Sequence, residues 1–331
     1  MSPIRTAFFL LTFISLFVAC SKDNDPNPGT GTGGTDSIPT TPPPPPKDTL
    51  SSGWTLVKSS VVTGTWADVF FVNNIVGYVC SSKGIAKSID GGLTWTKLDV
   101  PGDMQGSFFN MYFTDADHGW VITQSTSFMI RTTDGGKTWE KLKFPDPMIV
   151  DVQFLDQQRG YAGSNGLYKT VDSGRTWTRV FHNNDPVMAL CFIDTARGWI
   201  CPGSKIGKVT SGGSTVEIQL TTANTLSLSY IQFVDAQHGW KTGKDGVWKT
   251  VDGGTNWNHL IDSKTWGEGD MHFFNDKEGY LLSQQSIYKT IDGGKTLTRV
   301  LQATDLLIEL HFTDPTHGWA VGVSGLYRYA P

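Results

Sequence analysis

The sequence predicts an all-β fold, a seven-bladed β-propeller with four antiparallel strands per blade whose last blade is closed by the N-terminal strand. Three observations support this prediction. One motif recurs seven times at intervals of 38 to 42 residues, a second turn motif follows it in most copies, and the last copy lacks a strand that is found ahead of the first copy. Repeats of about 40 residues that each hold four short strands indicate propeller blades.

Each copy begins with a predicted hairpin centred on a glycine followed by Trp or Tyr. A Phe lies six residues before every one of these glycines, an aliphatic residue or Met lies eight before, and Asp or Asn lies four before. Apolar residues at alternate positions predict a strand with one buried face, and the Asp or Asn predicts a turn. We expect the glycine to provide the backbone freedom with which the chain enters the next strand. The seven glycines are Gly77, Gly119, Gly160, Gly198, Gly239, Gly279 and Gly318.

A third strand and a second tight turn follow, as in TTDGGKTW at 132–139. This segment resembles the Asp-box, or bacterial neuraminidase repeat, of form S/T-x-D-x-G-x-T-W. The resemblance implies that its Asp accepts backbone N–H groups within the turn and that its Trp packs between blades. The fourth copy has Gly212 at the expected Asp position, and the sixth has Leu297 in place of Trp. The structural Asp residues implied are Asp90, Asp134, Asp172, Asp252 and Asp292.

The seventh copy ends after its third strand, which contains Tyr327. The segment around Trp54 matches the fourth strand that follows a box Trp, so we expect it to complete the last blade. Such pairing removes two open sheet edges, which would otherwise invite aggregation. With this closure, residues 53–331 resemble the seven-bladed photosystem II stability and assembly factor-like propellers, and more loosely the sialidases. The first resemblance implies a non-catalytic, protein-binding scaffold, although nothing in the sequence indicates photosynthesis.

The N-terminal residues predict export. Residues 1–19 carry Arg5 and an apolar run of thirteen residues, which is typical of a signal peptide and too short for a bilayer span. Cys20 follows, and the segment resembles a bacterial lipobox with Phe17 where Leu is usual; an ordinary secretory signal is the alternative. Residues 20–50 are predicted to be a lipidated Cys and a disordered Pro/Gly/Thr-rich tether. The acidic cluster after Cys20 resembles that of surface-exposed outer-membrane lipoproteins. The propeller is expected at 51–331.

Composition narrows the function classes. The net charge is −4 and no basic block occurs, so nucleic-acid binding is unsupported. No CxxC pair occurs, and neither a metal site nor a cofactor is predicted. Cys80 is expected to be free and buried. Cys191 and Cys201 flank one predicted hairpin, and a disulfide between them is left open.

The candidate binding site is the channel mouth. The Asp-boxes and first turns are expected together at one end of the propeller, which leaves the other end for recognition. The residue nine before each glycine begins the first strand, and four of the seven are acidic: Asp68, Asp151, Asp270 and Glu309, beside Asn110, Ala189 and Tyr230. This ring predicts an acidic mouth for a cation or a basic partner loop. The alternative is that these carboxylates are solvated or cap backbone groups.

Loops at the same end add further candidates. Trp66 and Trp266 fall outside the structural columns of the repeat, so they are candidate binding contacts, with local loop packing as the alternative. Their neighbours are His182, Asn183, Glu268 and His272, and the other loops of this end carry Lys83, Asn165, Lys205, Lys244 and Gln284, which are expected to be exposed surface.

The arginines and the mouth acids bear on two enzyme classes. A sialidase needs an arginine triad, and none of the seven arginines that follow the predicted signal peptide begins a first strand: Arg131, Arg159, Arg175, Arg179, Arg197, Arg299 and Arg328. A glycoside hydrolase with a carboxylate pair could use two of the four mouth acids. Carbohydrate binding without cleavage would rest on Trp66 and Trp266. We therefore favour a protein partner, with a glycan as the alternative ligand.

Overall fold

The computed structural model describes residues 49–50, 53–57, 61, 64–123, 127–182, 185–221, 230–262, 266, 269–323 and 325–331. They lie in one compact unit, residues 46–331. The predicted signal peptide, Cys20, the tether up to residue 48, Asn183 and Glu268 fall outside the described residues. No helix in the described ranges has the length and hydropathy of a membrane span.

The described residues begin with two short strands, which are followed by three blades in sequence order. The strands are β1 (Thr49–Leu50) and β2 (Trp54–Val57); blade 1, β3 (Trp66–Phe71), β4 (Gly77–Ser81), β5 (Gly84–Ser88) and β6 (Thr96–Lys97); blade 2, β7 (Phe108–Phe113), β8 (Gly119–Thr123), β9 (Phe128–Thr132) and β10 (Glu140–Lys143); blade 3, β11 (Asp151–Phe154), β12 (Gly160–Gly163), β13 (Gly166–Thr170) and β14 (Thr178–His182).

Four more blades follow. They contain, in blade 4, β15 (Val187–Phe192), β16 (Gly198–Pro202), β17 (Lys205–Thr210) and β18 (Thr215–Thr221); blade 5, β19 (Tyr230–Phe233), β20 (Gly239–Gly243), β21 (Gly246–Thr250) and β22 (Asn258–Ile261); blade 6, β23 (Met271–Phe273), β24 (Gly279–Ser283), β25 (Ser286–Thr290) and β26 (Thr298–Gln302); blade 7, β27 (Leu307–Asp314), β28 (His317–Gly322) and β29 (Leu326–Tyr329). Two 3-10 turns, Gly102–Met104 and Ser211–Gly213, are the helical elements of the described residues.

The predicted ring closure is confirmed. Strand β2 pairs antiparallel with β29, with Trp54 opposite Tyr329 and Leu56 opposite Tyr327, so blade 7 takes its fourth strand from the N-terminal side of the chain. Trp54 is 2% exposed and meets the Phe312 ring edge-on at 6.1 Å, as Trp95 meets Phe71 in blade 1. Strand β1 adds a fifth strand to blade 6 by pairing with β26.

The Phe and Gly-aromatic columns form the joints between blades. At every joint the Trp or Tyr of one blade stacks on the Phe of the next, with ring centroids 3.4 to 4.1 Å apart and planes within 13°. Stacked aromatic pairs add to the free energy of burial of their apolar surface. The pairs are Tyr78–Phe113, Trp120–Phe154, Tyr161–Phe192, Trp199–Phe233, Trp240–Phe273, Tyr280–Phe312 and Trp319–Phe71.

The reason expected for the seven hairpin glycines is wrong. None of them has a positive φ. Each instead lies against the Phe ring of its own blade, and a Cβ atom would come within 2.1 to 2.7 Å of a ring carbon. The column therefore requires glycine because of space, and the freedom of positive φ is used in the box turns, for example at Gly135 (72°) and Gly136 (89°).

The Asp-box turns are held by their Asp and Thr side chains. In blade 2, Asp134 accepts hydrogen bonds from the Thr138 amide at 2.9 Å and the Thr138 hydroxyl at 2.6 Å, while the Thr132 hydroxyl accepts one from the Gly136 amide at 2.8 Å. The Thr138 hydrogen bonds hold the pKa of Asp134 at about 2. These contacts close a turn whose backbone would otherwise face water.

In blade 4 the expected alignment of the decayed box is wrong by one residue. Val209 pairs with Gly198 as Ser88 pairs with Gly77 in blade 1, so Ser211 occupies the position of Asp90. Gly212 then takes the position of Gly91, because each donates its amide to the first turn of its own blade. Blade 4 thus lacks the hydroxyl, the carboxylate and the Trp of the box.

A basic column that the sequence analysis missed supports the same joints. One Lys or Arg on each third strand lies directly opposite the stacked aromatic residue. Several of them reach the next blade; Lys249, for example, donates to the Asp276 carbonyl at 2.8 Å. Arg131 and Lys289 instead pair with Glu140 and Glu278 of their own blades. Arg328 donates to the Gly91 carbonyl at 2.7 Å across the closing joint. The column is Lys87, Arg131, Lys169, Lys208, Lys249, Lys289 and Arg328.

The three described cysteines beyond Cys20 are free thiols. Cys80 is buried, and Cys191 lies opposite Trp199, two residues out of register with Cys201. Cys191 and Cys201 therefore form no disulfide, because the register of β15 and β16 does not place the two residues opposite each other.

Candidate functional site

The two ends of the propeller differ in what occupies them. First turns and box turns share one end, the box end, where they are hydrogen-bonded together in blades 1 to 6, as by the Gly135 amide and the Asp117 carbonyl at 3.0 Å. The opposite end, the mouth end, carries the loops that lead into the first strands and those that join second to third strands. The mouth end therefore holds the segments that vary from blade to blade.

A cavity of about 210 Å³ lies in the central channel between the first strands. Its lining includes four members of the predicted ring, Asp68, Asn110, Asp151 and Glu309. Asp270 lies close enough that its charge affects both Asp68 and Glu309. The structure thus brings the four predicted acids of blades 1, 3, 6 and 7 into one electrostatic group.

Three of these acids also tie neighbouring blades together. The carboxylates of Asp68, Asp151 and Asp270 accept hydrogen bonds from the amides of Met111 (2.7 Å), Leu190 (2.9 Å) and Leu310 (3.0 Å), each in the next blade. This arrangement corresponds to the backbone-capping alternative for these three residues.

Glu309 differs from the other three acids. The hydroxyl of Tyr230, two blades away, donates to its Oε2 at 3.2 Å, and no hydrogen bond from a backbone amide to its side chain is seen among the described residues. Glu309 is therefore the mouth acid whose carboxylate contributes least to the contacts between neighbouring blades.

Burial controls the ionisation of the four mouth acids. It raises the pKa of Asp68 to about 7, of Asp151 to about 6 and of Asp270 to about 8. Burial and the neighbouring charges of Asp270 and Asp68 raise the pKa of Glu309 well above its usual value. Carboxyls that share a poorly hydrated site cannot all ionise at neutral pH without a compensating charge.

A second ring, two residues further along each first strand, was not singled out from the sequence. Its polar members also bridge blades: the Gln153 amide group bonds both the N–H and the C=O of Phe192, and His311 donates to the Phe71 carbonyl at 2.8 Å. The period of two along a strand could have revealed it. The ring is Phe70, Tyr112, Gln153, Cys191, Gln232, His272 and His311.

The two histidines of this second ring are neutral near pH 7. Burial lowers the pKa of His272 to about 3 and of His311 to about 4. His272, expected in a loop, lies instead in β23, because Met271 and Phe273 on either side of it are core residues. The channel histidines therefore supply no positive charge to the acids.

The aromatic candidates at the mouth end are buried. Trp66 begins β3 opposite Ser81 and is 6% exposed, and Trp266 is 6% exposed with its ring 5.5 Å from that of Tyr288. Both belong to hydrophobic clusters. This geometry favours the packing alternative and removes the aromatic surface on which carbohydrate binding would rest.

The remaining loop candidates of the mouth end differ in their contacts. Lys83 and Gln284 are exposed, whereas Asn165 donates to the buried Asp146 at 2.8 Å and Lys205 pairs with Asp185 at 2.8 Å. His182 is exposed at the end of β14.

The arginines lie where the repeat alignment predicts, on third and fourth strands and in turns at the box end. Arg159 and Arg197 pair with the Asp of their own first turn, and Arg131 and Arg175 share Glu140. Among the described residues that line the cavity, none is an arginine or lysine.

Comparisons with known proteins agree with this architecture. The family model described as photosynthesis system II assembly factor YCF48 matches residues 47–184. A structure of YCF48 bound to a D1 peptide is 20% identical, with a TM-score of 0.69 over 89% of this chain and all of that chain. YCF48 from Cyanidioschyzon merolae is 22% identical, with a TM-score of 0.68 over 85% of this chain and 99% of that one.

More distant propellers share the fold alone. A GH74 enzyme from Niastella koreensis is 13% identical, with a TM-score of 0.64 over 83% of this chain and 53% of that chain. No protein of curated function matches the sequence significantly. The chain is an Asp-box seven-bladed propeller that resembles the YCF48 assembly factors.

Proposed function

We propose that this YCF48-like propeller is a non-catalytic assembly or interaction scaffold that binds a segment of a partner protein at its mouth end. The observation that carries the proposal is the channel cavity of about 210 Å³, which opens among residues that differ from blade to blade. The repeated Phe, Gly and aromatic columns are used for blade joints, so they leave the mouth for recognition. The peptide-bound YCF48 structure supports a protein as the class of partner.

We also propose that the propeller is held at the outer membrane, on the cell surface, by a lipid on Cys20. The signal-like residues 1–19 and the Pro/Gly/Thr-rich residues 20–50 support this arrangement. Mass spectrometry of the membrane fraction should find a diacylated peptide that begins at Cys20. Cys20→Ala should release the protein from membranes, and protease added to intact cells should remove the wild-type propeller; a soluble wild type contradicts the anchor.

Protein binding can be tested without knowledge of the partner. The full chain, immobilised in detergent, is used to select 12-residue peptides from a random display library. We expect enrichment of related sequences that bind with micromolar affinity, and the purified peptides should perturb the fluorescence of the protein. A library that stays unenriched after several rounds, against a chain with intact circular dichroism, would contradict a peptide-binding mouth.

The carbohydrate alternative has lost its supporting side chains. Trp66 and Trp266 are core residues, and three of the four mouth acids accept hydrogen bonds from backbone amides. Reducing-sugar release from a polysaccharide panel remains the decisive comparison, because activity that disappears in an Asp68→Asn or Asp270→Asn variant would establish a hydrolase.

A further inference from the structure

The channel brings four carboxyl groups together, and burial opposes the ionisation of each of them. No lysine or arginine is found among the cavity-lining residues that the structure describes, and the nearby histidines are neutral. Buried charges are normally paired, since an isolated carboxylate in a poorly hydrated site is costly. The acids of the mouth therefore lack the cationic partner that such a group ordinarily has.

A second polar group in the cavity points to the same chemistry. The Oδ1 atom of Asn110 is buried, and none of the described residues donates a hydrogen bond to it. Asn110 lines the cavity together with Asp68, Asp151 and Glu309. An unused buried acceptor beside several carboxylates favours a ligand with several N–H donors, because each donor would satisfy one of these oxygens.

We propose that the channel mouth receives the ammonium or guanidinium group of a lysine or arginine side chain carried by the partner segment. This inference rests on the proposed function, since the cation is part of a bound peptide. A cavity of about 210 Å³ is large enough for one such side chain. The bound cation favours the ionised form of Glu309, which then serves as the principal counter-charge, and Asn110 accepts a hydrogen bond from the same group.

The pH dependence of binding follows from the surrounding groups. As pH rises from 5 to 8 the pKa values of Asp151 (about 6), Asp68 (about 7) and Asp270 (about 8) are reached, so the negative charge of the mouth acids and the affinity for a cation increase. Since a bound cation favours the ionised carboxylates, binding at pH 7 releases protons. His272 and His311 stay neutral throughout this range. The titratable groups that face the acids are Cys80 on β4, Tyr112 on β7, Cys191 on β15, Tyr230 on β19, His272 on β23 and His311 on β27.

The test uses the full chain and two small probes with the same four-carbon side-chain stem. N-acetyl-lysine methylamide and N-acetyl-norleucine methylamide differ by the ammonium group, and their binding is measured by isothermal titration calorimetry at pH 5 and pH 8. We expect the lysine probe to bind at least about tenfold more tightly than the norleucine probe at pH 8, with a smaller difference at pH 5. Equal binding of the two probes at pH 8 would overturn the proposal.

The matched variants are Glu309→Gln and Glu217→Gln. The first removes the mouth charge and keeps an acceptor for the Tyr230 hydroxyl, so the blade joints are preserved; the second removes an exposed charge on β18. Glu309→Gln should weaken the lysine probe about tenfold or more, and Glu217→Gln should leave it unchanged. Asn110→Ala, with the circular dichroism of the wild type, should weaken it as well. Unchanged affinity in Glu309→Gln contradicts the site.

The peptide selection separates this inference from the proposed function. Enriched peptides without a required Lys or Arg leave the scaffold function standing and refute the cation site. A lysine probe that binds in a Glu309-dependent way, with a library that yields no peptide, supports the cation site and refutes peptide binding.

Discussion

At the seven hairpin glycines, the space for a side chain is filled by a phenylalanine ring. A Cβ atom on Gly119 would lie 2.1 Å from the Phe113 ring, which is itself stacked on Tyr78 of the blade before. The ring cannot move aside without breaking a blade joint. The motif is thus one steric unit, a ring and the hole that it fills.

Gly119→Ala should accordingly destabilise the protein by about 1–3 kcal/mol, as overpacked cores do. Gly102→Ala is the control, because nothing lies within 4 Å of a Cβ at that position, and its effect should stay within about 0.5 kcal/mol. Urea unfolding followed by tryptophan fluorescence measures both. Similar midpoints for the two variants would show that the Phe ring has room to yield.

The box acids and the channel acids should affect stability in opposite directions as pH changes. Asp134 and Asp292, held at a pKa of about 2 by Thr side-chain and amide hydrogen bonds, stabilise the fold above pH 4 and lose that contribution as pH falls toward 2. The folded-state pKa values of Asp68 and Asp270 lie above the unfolded value of 3.8, so their contribution is present below pH 4 and is lost as pH rises to 8.

Stability should therefore be greatest near pH 4 to 5 and decline toward pH 8. The slope between pH 5 and 8 should be shallower in Asp270→Asn, which cannot ionise, whatever its absolute stability. Denaturant midpoints at half-unit pH steps measure this. A wild-type midpoint that rises between pH 5 and 8 would contradict the burial of the channel acids.

At the scale of one element, the box turn shows what its carboxylate contributes. In blade 2, Asp134 holds the Thr138 amide and hydroxyl, whereas in blade 4 Ser211 occupies the same position and its hydroxyl has no described partner. The turn of blade 4 nevertheless retains the hydrogen bond that the Gly212 amide donates to the Ala196 carbonyl. The backbone path therefore survives without the box side chains.

Asp134→Ala should cost about 1 kcal/mol, because it leaves two turn donors to water. Ser211→Ala, at the equivalent position of blade 4, should change the free energy of unfolding by less than about 0.5 kcal/mol. The pair is compared by guanidinium unfolding at pH 7. Equal losses would mean that the Asp contributes no more than a small polar side chain.

At the scale of the whole molecule, Trp54 closes the ring. Its side chain is almost fully buried in blade 7, 6.1 Å from Phe312 and 5.2 Å from Tyr329, although it lies 258 or more residues away in sequence. Trp54→Ala should cost about 3–5 kcal/mol by deleting a buried aromatic residue. The control is Leu56→Ala on the same strand, where Leu56 is 40% exposed; it should cost below about 1 kcal/mol. Denaturant unfolding measures both variants. A Trp54→Ala loss no larger than that of Leu56→Ala would place the closing contacts elsewhere.

The blade plan and its closure were predictable because each depends on a column repeated along the chain. The box of blade 4 was misaligned because TSGGSTVE lacks both Asp and Trp, and the two glycines allow either register. Strand alternation placed the four mouth acids on the channel side. Their depth, the Tyr230–Glu309 contact and the burial of Trp66 depend on the packing of several blades against one another, which no local pattern records.

The closing strand also has a mechanical consequence. Six blades are formed from continuous chain, whereas blade 7 holds its two chain segments together by hydrogen bonds between β2 and β29, with β1 fastened to the neighbouring blade. A force applied through the N-terminal segment would load the two residue pairs of β1 first and then strip β2 from its neighbour one pair at a time. In an optical trap, the earliest rupture should release this seam and convert the closed ring into an open arc.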